Sequence, residues 1–157
     1  MVNIEGEVAM SVSASLEIKL SHRLGQQISP LNIVELLRRF GWSFRLEGRV
    51  SYLPVGDIDD FNWTNEALSD DALLSVLQQK EITGEIIGVA MTWRDTEIGG
   101  QFLFARQSTV SINLNINRIV LASCAPLTDV SWYISRLAPA FSSCDIILEA
   151  LEYYEHV

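Results

Sequence analysis

Residues 109–116 set Val110, Ile112, Leu114 and Ile116 against Thr109, Ser111, Asn113 and Asn115 without one exception. A period of two sends alternate side chains to opposite sides of a strand, so this segment has one apolar and one polar face. Residues 11–20 repeat the pattern, with Val12, Ala14, Leu16, Ile18 and Leu20 against Ser11, Ser13, Ser15, Glu17 and Lys19. The longest such run is 42–52, where Trp42, Phe44, Leu46, Val50 and Tyr52 alternate with Ser43, Arg45, Glu47, Arg49 and Ser51. Gly48 falls on its apolar side and reads as a bulge or a close helix crossing. Two more strands are expected at 85–93 and 101–106, joined by a turn through Gly99-Gly100, with a kink at Asn117-Arg118 before a short extension at 119–121.

Helical spacing separates these strands. Ser29-Pro30 supplies an N-cap and a first helical residue, Leu31, Val34, Leu37 and Phe40 form a stripe, and Gly41 ends it. Ser69 caps a second helix through Leu73, Leu74 and Leu77 to about residue 79. Thr128 reads as the N-cap of a third, with Val130, Tyr133, Ile134, Leu137 and Phe141 as its buried stripe and Pro139 near its end. The tail from Asp145 reads as a helix, gathering Ile146, Ile147, Ala150, Leu151 and Tyr154 on one side; as a strand, each of its faces would take a glutamate. The order describes one α+β domain over residues 1–157, a single antiparallel sheet of about five strands with helices packed on one face and the other face wet.

Within that frame residues 57–71 stand apart. They hold six carboxylates, Asp57, Asp59, Asp60, Glu66, Asp70 and Asp71, and no Lys or Arg occurs between Arg49 and Lys80. The whole chain is acidic, with 20 Asp and Glu against 11 Lys and Arg and a net charge of −9. That balance speaks against nucleic acid and against an anionic membrane surface, and in favour of a cationic protein partner. No stretch reaches the roughly 18 apolar residues needed to span a bilayer and no secretory signal opens the chain, so a cytoplasmic protein is expected. Cys124 and Cys144 match no zinc or redox spacing and read as buried thiols.

The residues do not support a chemical site. A calcium loop starting at Asp57 would place Asn62 where glycine is needed and Leu68 where a bidentate glutamate is needed. Asp59 and Asp60 are adjacent rather than opposed as a hydrolase requires. His22 and His156 accompany no nucleophile motif, and no phosphate-binding glycine pattern occurs. No cofactor, no metal and no enzymatic activity are expected. Two readings of the acidic stretch remain. Asp70 and Asp71 suit the first turn of a helix and Asp57 to Asp60 can solvate a loop, or Asp57, Asp59, Asp60, Phe61, Trp63 and Glu66 form a partner-binding surface in which aromatics anchor and charges steer. Trp42, Trp93 and Trp132 lie on apolar faces and read as core; Arg45 and Arg49 read as a solvated ladder.

A strongly acidic α+β chain with several tryptophans and a helix opening Thr128-Asp129-Val130-Ser131-Trp132-Tyr133 resembles the immunity proteins of bacterial toxin systems, such as those of contact-dependent growth inhibition. The resemblance implies a non-enzymatic inhibitor that binds a cognate toxin domain, often a basic nuclease, and covers its active site or its approach to nucleic acid. It transfers no individual binding residue. The alternative is a type III-like secretion chaperone, a class of small acidic α+β proteins that hold an effector segment on apolar surface, typically as dimers.

Overall fold

The computed structural model describes residues 13–105, 108–123 and 126–156. Along the chain run β1 (Ser13–His22), α1 (Pro30–Arg39), β2 (Trp42–Ser43), β3 (Val50–Tyr52), β4 (Thr64–Glu66), α2 (Asp70–Thr83), β5 (Ile87–Trp93), β6 (Gly99–Ala105), β7 (Thr109–Ile116), α3 (Val130–Phe141) and β8 (Ile146–His156). The strands form one sheet in the order β4-β3-β5-β6-β7-β1-β8, with β2 also paired to β5, and every pairing is antiparallel.

Register turns the alternating pattern into a core. Tyr153, Leu16, Ile112, Phe102, Val89 and Tyr52 are successive partners across six strands and form one row on a single face. The helices cover that face, contributing Ile33, Val34 and Leu37 from α1, Leu73 and Leu77 from α2, and Tyr133, Leu137 and Phe141 from α3 to the same cluster. Burying a Leu or Phe side chain of this kind contributes about 1.5–3 kcal/mol. Ser29 caps α1 as expected, and Glu81 of α2 binds both the Ser29 hydroxyl and the Leu31 amide, tying the two helices at that end.

The sheet has eight strands among the described residues rather than about five, and three local causes account for the difference. The tail is strand β8, not a helix. Ten of its residues pair with β1, and a bulge between Lys19 and Leu20 shifts the phase so that Leu148, Leu151 and Tyr153 all reach the core side. The glutamate that this places inward, Glu155, has partners waiting, because it accepts the Thr128 amide at 3.0 Å and lies 3.4 Å from Arg118. Helical spacing within the tail is local, and the ladder to β1 outweighs it. The run 42–52 is broken in two. Ser43 faces Thr92 and Tyr52 faces Val89, nine residues on one side against three on the other, so six residues loop out. An even number leaves the inside–outside phase intact, which hides the break in the sequence. Its tip is Glu47-Gly48, both at positive φ, so Gly48 serves a tight turn instead of a bulge or crossing. The third addition, β4, lies inside the acidic stretch.

Three further expectations are corrected. Gly99 and Gly100 lie in β6 rather than in a turn, at a register shift where a Cβ would meet Met91 O at 1.9 Å and Asn113 O at 2.2 Å. Asp129, not Thr128, occupies the cap position of α3, because the Thr128 hydroxyl is engaged by Glu155 and Arg118. Cys144 is exposed, in the turn between α3 and β8, and Cys124 lies outside the described residues, as do Ser11, Val12 and Arg106. The second helix runs on to Thr83, where Gly84 in the left-handed conformation stops it.

Candidate functional site

The segment after β3 does not stay beside the helices but crosses to the open face of the sheet. Leu53 donates its amide to Gly88 O and presses its side chain where a Gly88 Cβ would stand, 2.6 Å from Leu53 Cδ1. Only glycine leaves that notch. Lys80, from the last turn of α2 and fully buried, then holds the loop from below. Its Nζ donates to Pro54 O at 2.7 Å and Asp57 O at 3.0 Å and lies 3.4 Å from the Glu85 carboxylate. Glu85 in turn accepts the Gly56 amide at 2.7 Å.

Asp57 shapes the tip. Its Oδ1 accepts the amides of Asp60 at 3.1 Å and Phe61 at 3.0 Å, and its Oδ2 accepts that of Asn62 at 2.7 Å. Burial would raise this carboxyl, but the amides of Asn62, Phe61 and Asp60, aided by Lys80, outweigh it and hold it below the usual aspartate range. For Glu85 the Gly56 amide is the main cause of a lowered carboxyl, against a smaller effect of burial and with the Thr83 hydroxyl and Lys80 adding to it. Asp57 thus gathers three successive amides of the loop, and within that turn Phe61 has positive φ, a conformation an aromatic residue rarely adopts.

The six residues expected to form one binding surface therefore divide. Asp57 is 6% exposed and turned inward. Glu66 pairs with Val50, so it leaves the sheet on the helix-covered side, the side that Tyr52 also faces. Burial first, then Glu66, raises the Tyr52 hydroxyl. Asp59, Asp60 and Phe61 remain exposed at the tip, and Trp63 is half-buried over the open face. No hydrogen bond or ion pair engages the Asp59 or Asp60 side chain among the described residues. Asp70, by contrast, lies 2.9 Å from Arg38 and 3.1 Å from Arg45, so Arg45 belongs to an ion-pair cluster, and Arg49 binds Asn65. Of the tryptophans read as core, Trp42 is buried, while Trp93 and Trp132 are half-buried and flank the Arg136 guanidinium.

Other residues complete the surface. Val55 and Ile58 stand exposed on the same loop, Ile58 at 64%. Their signal in the sequence is an apolar side chain inside a segment of turn formers, outside any period. Between the loop and β1 lies a groove of 380 Å³, walled by Phe61 and Trp63 and floored by Ser15, Glu17, Gln101, Ser111 and Asn113. Beside it Tyr154 of β8 donates to Glu152 at 2.7 Å, a bond that is the main reason the tyrosine hydroxyl is raised. These residues come from four strands, and only register brings them together.

Among the described residues no three or more His, Cys, Asp or Glu side chains gather as metal ligands, and no helix is long and apolar enough to cross a membrane. His22 Nδ1 accepts the Leu24 amide at the end of β1, and His156 is exposed on β8. No protein-family model matches the chain, and no curated protein or solved structure matches it either.

Proposed function

We propose that this chain is a non-enzymatic inhibitor of the immunity-protein kind, which captures a basic toxin domain, a nuclease in the first instance, through the tip of loop 54–63. The observation that supports this most is the pairing of two exposed and internally unengaged aspartates, Asp59 and Asp60, with exposed Val55, Ile58 and Phe61 on a loop held rigidly from beneath. A rigid tip loses little conformational entropy on binding, and its apolar side chains gain by desolvation while the carboxylates steer a cationic partner. The partner-contact set is accordingly Asp59, Asp60, Phe61 and Trp63, with Asp57 as the residue that shapes them.

Co-purification from the source cells, followed by mass spectrometry, identifies the partner, and a basic toxin domain is expected. Replacing Asp59, Asp60 and Trp63 together by alanine then abolishes neutralisation of that domain; full protection by the triple variant rules out this surface. Replacing only the two aspartates by asparagine slows association about tenfold at low salt and less at high salt. An obligate dimer that retains an unfolded effector segment instead of a folded basic domain would favour the secretion-chaperone reading.

A further inference from the structure

The open face carries an electrostatic conflict that nothing in the fold requires. Glu17 of β1 stands directly opposite Glu152 of β8, and like charges in that position destabilise a strand pair. Glu152 accepts the Tyr154 hydroxyl, but among the described residues no Lys, Arg or His forms an ion pair with either carboxylate. Lys19, the next residue on that face of β1, is opposite Ala150. Glu17 also lies on the floor of the 380 Å³ groove whose wall is Phe61 and Trp63.

We propose that this groove receives one arginine side chain, carried on an extended segment of the basic partner. The inference rests on the proposed capture of a cationic domain and names what that domain inserts. A guanidinium is planar, weakly hydrated and always charged, so it can lie against the faces of Phe61 and Trp63 while donating to Glu17. Asn113 offers an uncharged donor and acceptor for the peptide groups beside it, and Gln101, whose carbonyl accepts the Asn115 amide at 2.9 Å, offers its own amide N–H. Occupation places a cation beside the Glu17–Glu152 pair and removes the repulsion. A lysine has the charge without the plane, and citrulline has the plane without the charge. The groove therefore selects arginine over both.

The test is an NMR titration of the full chain with the blocked tripeptide acetyl-Gly-Arg-Gly-amide, alongside its lysine and citrulline counterparts. The Trp63 indole N–H and the side-chain amides of Gln101 and Asn113 are expected to shift with the arginine peptide, more weakly with lysine and not with citrulline. Glu17→Gln should weaken the arginine response about fivefold, in line with loss of one partly exposed charge contact. Lys19→Gln, which removes a competing cation, should strengthen it. An equal response to citrulline, or a response that both Glu17→Gln and Glu152→Gln leave unchanged, overturns the proposal. Should the groove stay silent while capture of the basic domain still depends on Asp59 and Asp60, the groove assignment fails and the function stands. Should the groove select arginine while replacing only Asp59 and Asp60 by alanine leaves neutralisation of the toxin intact, the binding surface proposed for the tip fails instead.

Discussion

Asp57 and Glu155 each turn inward to hold a segment without regular structure, but they do so with different partners. Asp57 accepts amides three to five residues further along its own loop, whereas Glu155 accepts the Thr128 amide and hydroxyl and meets the Arg118 guanidinium from distant parts of the chain. The second arrangement neutralises its carboxylate with a cation and closes the corner between β7 and α3. The first is local and brings no cation to the tip, because Lys80 lies beneath the loop, on its carbonyls. The same device thus yields a neutral staple in one place and a shaped, negatively charged tip in the other. Which of these results depends on what the carboxylate accepts from.

Removing the cation should test the loop most severely. Lys80→Ala leaves Glu85 and two carbonyls without their buried donor, and an equilibrium urea denaturation should show a loss of about 3–5 kcal/mol. Glu155→Ala should cost about 2 kcal/mol by the same measurement, since it strips the corner of an acceptor but leaves Arg118 its bonds to Pro126 O and the Thr128 hydroxyl. Equal losses in the two variants would erase the distinction between the regions.

Acid should separate them further. Both Asp57 and Glu85 have lowered carboxyls, so the stability they contribute is fully present above their ordinary values of 3.8 and 4.5 and is lost as pH falls through the lower folded values. Protection of the Asp60, Phe61 and Asn62 amides, taken relative to the intrinsic exchange rate at each pH, should therefore fall below about pH 4, and Asp57→Asn should flatten that dependence. The smallest effect belongs to the tip itself. Asp59→Asn with Asp60→Asn should change stability by less than about 0.5 kcal/mol, because neither side chain is engaged within the fold. A larger loss would mean that these carboxylates serve the loop rather than a partner.

Much of this architecture is legible in the residues. The alternation over 109–116 matches β7 residue for residue, Ser29-Pro30 opens α1, and the antiparallel sheet with helices on one face follows from three alternating segments that each have a polar side. Loop 57–63 also stands out as acidic and aromatic. The side chains that occupy the tip are less legible. Asp57 and Asp59 look equivalent in the chain, and Glu66 looks like their neighbour, yet one is turned in, one out, and the third faces the helices. Likewise Lys80 marks only the end of the stretch without Lys or Arg in the sequence, and it is buried under the loop.

What the sequence by itself determined are properties with short range: the phase of the long alternating strands, the caps of the first two helices, and the local excess of negative charge. These depend on neighbours two to four residues apart, and the chemistry of each residue is enough to specify them. Only the tertiary structure decided that the tail is a strand, that the acidic loop crosses the open face, and that Glu17, Phe61, Trp63 and Asn113 share a groove. Those outcomes depend on register between segments tens of residues apart. There a ladder of backbone hydrogen bonds and one buried ammonium outweigh what any local pattern prefers.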